Sequence, residues 1–253
     1  YKRLDFMRPQ FIRIMINTSS FLDNGKFTPE KGMETLSKML DYCQSRNVTV
    51  MFGDWGWSLL NVREATINEK NMKHAAELVD YLVNKKGYSC IKYYNLINEP
   101  DGDWSATNTS YPLWASSISQ FHKNTGDLGL NEKVGIVGPD IAIWGKDEAW
   151  WIDSCAAQMS DIIQLYDIHT YPSKITVNSG EYADIISAYK KSVPEGKKIV
   201  MGEIGFKFVE EADSLYLREN NRRAKEKKHA SLQDSQMFVY DYMYGTDMAD
   251  ALF

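Results

Sequence analysis

Residues 91–104 read IKYYNLINEPDGDW. A β-branched and aromatic run stops at Asn98-Glu99-Pro100, then turns through Asp101-Gly102-Asp103 to Trp104. Such a run fits a pleated, half-buried surface, so 91–98 predicts a strand. A residue before proline is driven toward extended backbone, and Pro100 has no N–H to continue a ladder. Glu99 is therefore expected as the last strand residue, with its side chain at the rim. Counting by twos places Tyr93, Asn95, Ile97 and Glu99 on one face.

Working outward, similar short runs recur at 10–16, 47–53, 133–138, 162–169 and 197–203. Amphipathic helical patterns lie between them, at 29–46, 68–87, 111–126, 147–158 and 180–193. Thr28-Pro29-Glu30 has the chemistry of a helix start and Lys85-Lys86-Gly87 that of a stop. Strict alternation at this spacing implies βαβ units and a parallel sheet.

Both a doubly wound sheet and an eight-stranded barrel fit that alternation, and the polar residues separate them. The strands end in Arg13 and Asn17, Asp54 and Trp55, Asn98 and Glu99, Asp140 and Trp144, His169 and Tyr171, and Glu203. A (β/α)8 barrel assembles its site from all strand ends on one rim, whereas a doubly wound sheet concentrates it at one switch point, usually beside a Gly-rich loop. No such loop follows the first strand. Six strands are countable and a barrel takes eight. Tyr1 to Met7 reads as the tail of a helix, and the sequence stops inside a helical pattern at 231–253. The expectation is a single α/β domain over 1–253, a (β/α)8 TIM barrel with its first and last strands missing.

Composition narrows the function. Hydrophobic residues are 43% and charged residues 25% of the 253, as in soluble globular chains, and no apolar run approaches membrane-spanning length. A net charge of -5 with no basic face speaks against nucleic acid, and the mixed-charge run at 217–230 reads as solvated surface. Cys43, Cys90 and Cys155 form no CxxC pair and read as buried small hydrophobes. Seven Trp and fifteen Tyr exceed what a core this size requires, which points to flat apolar faces for a ligand.

The second decisive glutamate is Glu203, in the run KKIVMGE. Counting by twos again, Ile199, Met201 and Glu203 share a face, so two rigid carboxylates are expected to oppose each other across the mouth. Such a pair is the machinery of glycoside hydrolysis: one carboxyl protonates the leaving oxygen while the other attacks or activates water.

At these residues the chain resembles the clan of retaining β-glycosidases on (β/α)8 barrels that includes cellulases and mannanases. NEP at 98–100 ends what would be the fourth strand, and MGEIG at 201–205 ends the seventh. The resemblance extends from about Phe11 to Glu203. It implies Glu99 as general acid/base and Glu203 as nucleophile, Asn98 on the substrate 2-OH, Arg13 orienting the nucleophile, and His169 and Tyr171 near Glu203. The third strand ends GDWGW where cellulases of the clan commonly carry a histidine, and the aromatic of the eighth strand is absent with that strand. By analogy with such enzymes the expected setting is secreted or periplasmic and the expected partner a β-linked oligo- or polysaccharide.

Further binding candidates are Trp55, Trp104 and Trp144, which follow strand ends where an indole can stack on a sugar, and Asp54, able to bond hydroxyls. No cofactor or metal is expected. Two other readings compete: a barrel that binds glycans without cleaving them, and a metal-dependent hydrolase with Asp140, His169 and Glu203 as ligands.

Overall fold

Five long parallel strands carry their apolar side chains in two phases, and this alternation builds two separate cores. The computed structural model describes residues 1–205 together with Arg218 and Arg222. The strands are β1 (Phe11–Ile16), β2 (Thr49–Asp54), β3 (Ile91–Asn95), β4 (Gly135–Val137), β5 (Ile141–Ile143), β6 (Ile163–Thr170) and β7 (Lys198–Ile204). They form one all-parallel sheet in the order β1, β2, β3, β4, β6, β7, with β5 pairing alongside the upper half of β6. Helices α1 (Lys2–Met7), α2 (Met33–Ser45), α3 (Glu69–Asp80), α4 (Tyr111–Asp127), α5 (Ala149–Met159), α6 (Lys174–Asn178) and α7 (Glu181–Ser192) make the crossovers and flanks.

One set of strand residues, including Val50, Phe52, Tyr94, Ile136, Tyr166 and Ile168, packs outward against helix residues such as Leu40, Met72, Ile118 and Cys155. The alternate set, Met51, Val137 and Leu165 with Phe11, Tyr93 and Val200, closes a small inner core. An inner cluster enclosed by parallel strands with helices outside is the layering of a (β/α)8 barrel, of which the sheet forms the larger part. Ser110 caps α4 by accepting from the Leu113 amide, with Pro112 in the first turn, and Asn68 caps α3 through the Asn71 amide.

The expected strands are all present, and two features depart from the reading by twos. First, β3 ends at Asn95, and the chain bends through Leu96 to Asn98 before reaching Glu99 at φ 44°. Glu99 is thus in left-handed backbone, not the end of an extended strand. Leu96 and Ile97 are both buried in the outer core, which breaks the alternation, and the Gly102 amide donates back to the Glu99 carbonyl at 3.0 Å.

Second, Ile199 and Met201 face outward with the helices while Val200 faces inward. Met201 pairs with Ile168 but Glu203 pairs with His169, so Gly202 is the extra residue of a β-bulge. That insertion returns Glu203 to the inner face. A Cβ at Gly202 would collide with the Asp167 carboxylate, to which the Gly202 amide donates at 2.6 Å.

Short hairpins pair Leu22–Asp23 with Lys26–Phe27 and Leu60–Asn61 with Thr66–Ile67, and β5 is a further strand that the sequence pattern did not separate. The mixed-charge run and the C-terminal helical pattern lie outside the described residues, Arg218 and Arg222 apart.

Candidate active site

Above the inner core the same inward phase turns polar. Stepping by twos from the core residues, Phe11 leads to Arg13, Tyr93 to Asn95, and Leu165 to Asp167 and His169. The loops after β3 and β4 add Asn98, Glu99 and Asp140, and the bulge adds Glu203. All of them converge at the C-terminal ends of the strands.

Arg13 is the hub. Its guanidinium donates to Glu203, to Asn98 Oδ1 at 2.8 Å and to Asp140 Oδ2 at 3.2 Å. Asp140, fully buried, also accepts from Asn95 at 2.7 Å. His169 lies between the two glutamates: Nδ1 is 2.9 Å from Glu99 Oε1 and 3.9 Å from Glu203 Oε1, while Nε2 is 3.2 Å from Asp140 Oδ1. Glu99 Oε2 accepts from the Trp104 indole at 2.6 Å, and Glu203 Oε2 from the Tyr171 hydroxyl. One carboxylate oxygen from each glutamate lies within 4.8 Å of the other.

Burial alone would discharge these groups, and the mutual pairing reverses it for most of them. Desolvation opposes the charge on His169, but Asp140, Glu99 and Asp167 outweigh it and hold the imidazole well above its ordinary range. With carboxylates at both ring nitrogens, the imidazolium donates in both directions. Burial likewise opposes the Asp140 charge, and His169 and Arg13 keep that carboxyl well below its usual range. Arg13 is raised, the three acids around it overcoming its desolvation. Asp167 is the exception: burial and then the adjacent Asp140 charge push it well above the carboxylate range, which favours its neutral form. Burial pushes Glu99 upward, but the bonds from His169 and Trp104 prevail and lower it. Tyr171 is raised by burial and by Glu203, which keeps it a donor.

The structure therefore brings together Glu99, Glu203, Arg13, Asn98, His169, Tyr171 and Trp104. Trp144 stands nearby, half exposed, and lines a cavity of about 160 Å³ with Tyr171, Thr170, Ser173, Thr176 and Tyr182. Trp55 is partly exposed on the loop after β2. Asp54 does not join them. Its side chain is fully buried and its two oxygens accept from the Thr18 amide at 2.6 Å and the Gly56 amide at 2.7 Å, so it ties two loops together where hydroxyl binding was expected. Desolvation raises it to about 6.

Asn95 and Asp167 belong to the cluster and were not among the expected site residues, and Asp140 was expected there only as a strand-end residue and a ligand of the metal alternative. Asp167 was legible as the inward neighbour of His169, two positions earlier on the same strand. The metal-ligand alternative meets a geometric obstacle: Asp140 approaches one ring nitrogen of His169 and Glu203 the other, so the three cannot converge on one ion. The Arg13 guanidinium already takes the cation position between Asp140 and Glu203.

No protein-family model matches the chain, and no curated protein matches it in sequence. Solved structures do match in fold. A monomeric β-xylosidase from Caulobacter crescentus CB15 superposes with a TM-score of 0.59 at 10% identity, covering 82% of this chain and 48% of that one. A psychrophilic family 10 endo-β-1,4-xylanase gives 0.56 at 12% identity, with 90% and 75% covered. A tri-modular family 5 endo-β-1,4-glucanase from Bacillus licheniformis gives 0.56 at 15% identity, with 83% and 43% covered. The chain spans about half the length of the two Caulobacter xylosidase structures. At these identities the likeness establishes the barrel fold.

Proposed function

We propose that this chain is the catalytic (β/α)8 barrel of a retaining glycoside hydrolase acting on β-linked oligo- or polysaccharide, with residues 1–253 forming one domain. The observation that carries the reading is the opposed pair, Glu99 and Glu203, with oxygens within 4.8 Å. Retaining enzymes hold their carboxyls roughly 5–5.5 Å apart and inverting ones roughly 6.5–9.5 Å, the wider gap leaving room for a water. The pair fits the narrower class.

In this reading Glu203, paired with Arg13 and aimed by Tyr171, attacks the anomeric carbon as the glycosidic C–O bond breaks and the Glu99 proton passes to the leaving oxygen. Water then attacks the same carbon and gives its proton to Glu99, and the bond to Glu203 breaks. His169 and Trp104 favour the ionised Glu99 that the second step requires as base. Asn98, fixed by Arg13, is available to a sugar hydroxyl, and Trp55, Trp104 and Trp144 offer flat faces along a glycan. The named activities of the superposing enzymes, xylosidase, xylanase and glucanase, support the same class. A secreted or periplasmic setting suits a polysaccharide substrate. Among the described residues no helix is long and apolar enough to cross a membrane.

The test is a panel of aryl β-glycosides and soluble β-glucans, mannans and xylans with the parent protein and Glu203→Gln. Turnover by the parent and a loss of about 10⁴-fold or more in the variant supports the reading. Glycan binding without turnover replaces it with a non-hydrolytic binding barrel.

A further inference from the structure

We propose that Trp104 is a positioning residue for Glu99, its indole N–H holding the oxygen from which the leaving group takes its proton and thereby setting the pH at which that proton is available. The inference rests on the glycosidase reading and goes beyond it in assigning an exposed loop tryptophan a part in proton transfer.

The two Glu99 oxygens have different partners. Oε1 faces His169 Nδ1, and because the other ring nitrogen faces Asp140, the imidazolium remains a donor to Oε1. The exchanging proton is left to Oε2, the oxygen that Trp104 meets at 2.6 Å. An indole N–H can only donate, so the bond favours ionised Glu99 and resists its protonation.

The loop is built to put the indole there. A Cβ on Gly102 would collide with the Trp104 ring, so the glycine lets the indole fold back over the turn. Ser105 Oγ donates to the Asn98 carbonyl at 2.9 Å and Thr107 Oγ1 to the Pro100 carbonyl at 2.8 Å. Asp101 Oδ1 accepts from the Ala142 amide at 3.0 Å, which fastens the turn to β5. Trp104 stays half exposed despite these ties.

The other groups around Glu99 are His169 on β6, Glu203 on β7, Asp140 after β4 and Asp101 on the same loop. Arg13 on β1 is reached through Asn98 and Asp140, and Tyr171 through Glu203. Replacing Trp104 by Phe keeps an aromatic ring and leaves all of these in place.

The experiment compares the full chain with Trp104→Phe by two readouts. One is carbon-13 NMR titration of protein labelled at the Glu side-chain carboxyl, with the Glu99 signal identified by its loss in Glu99→Gln. The other is the pH profile of kcat/KM on an aryl β-glycoside. The expected result is a Glu99 titration raised by about one pH unit, with the alkaline limb of the profile moving equally and the acid limb unmoved. Above that limb the variant is then up to about tenfold faster than the parent. Gly102→Ala, which displaces the ring without removing it, is expected to reproduce the shift. A Glu99 titration unchanged in both variants overturns the inference, whether or not the protein turns over substrate. A shifted titration in a protein with no turnover supports the contact and rejects the glycosidase reading instead.

Discussion

The two glutamates reach the same mouth by opposite means. Glu203 is mounted on a paired strand and owes its direction to one inserted residue, the Gly202 bulge. Glu99 sits beyond the end of its strand, on a loop, in left-handed backbone at φ 44°, and owes its direction to side-chain partners. A non-glycine residue held there costs about 1–3 kcal/mol, tolerable only when the surroundings over-determine it. The backbone-set arm suits a group that must form a bond along one line. The arm set by hydrogen bonds suits a group that must gain and lose a proton, because those bonds adjust proton affinity as well as position.

Removing the chemistry from each arm gives the largest expected contrast. Glu203→Gln abolishes turnover of every substrate. Glu99→Gln is expected to cost about 10²–10⁴-fold on substrates with poor leaving groups and far less on a dinitrophenyl glycoside, which leaves unaided. Equal losses across leaving groups would sink the division of labour.

A substitution in the backbone of the Glu203 arm comes next. Gly202→Ala forces a methyl against the Asp167 carboxylate, and relief of that clash costs about 1–3 kcal/mol of stability. Differential scanning calorimetry should show a lower Tm, and kcat should fall further than stability alone explains because Glu203 is re-aimed. A variant with parent Tm and parent kcat would show that the bulge is not what directs Glu203.

The smallest expected effect on turnover comes from the ties of the Glu99 loop, and it is read in stability. Burial raises Asp101 to about 7, above its ordinary value near 3.9. The unfolded chain therefore loses this proton near pH 4 while the folded one keeps it to about 7. Stability from this group is complete below pH 4 and drains away as pH rises through that window. Asp101→Asn still accepts from the Ala142 amide and has no charge to bury. Its Tm should match the parent near pH 3.5, exceed it increasingly up to about pH 7, and hold a constant lead above. A lead independent of pH would show that the loop is not strained by this charge.

Much of this was legible in the sequence, because the chain announces its strands as short apolar runs between caps and turns. The expected Arg13, Asn98, Glu99, His169, Tyr171 and Glu203 do stand together, since strand ends in a barrel share a rim. Face assignments were harder. In IVMGEIG either phase of alternation is self-consistent, and only the pairing of Glu203 with His169 reveals the extra residue. At Glu99 the local preference of a residue before proline points to extended backbone, and tertiary demands overrule it: Leu96 and Ile97 are both drawn into the outer core. Asp54 reads like its neighbours on the rim, but the amides of Thr18 and Gly56 require an acceptor, a need set by two distant loops. Asp167, and the part Asp140 plays on the rim, were hidden for a similar reason, since their value lies in charge balance with Arg13 and His169, which no single strand displays.

The bulge at Gly202 also makes the interior of the barrel sensitive to its reading frame. Flattening the bulge, with Gly202 taking an ordinary paired position opposite His169, would leave the composition and local propensity of β7 unchanged. Yet Glu203 would be turned out among the helices and Ile204 into the mouth. Composition and pairing of this strand are therefore separate properties, and only the pairing decides which way the protein faces its own chemistry.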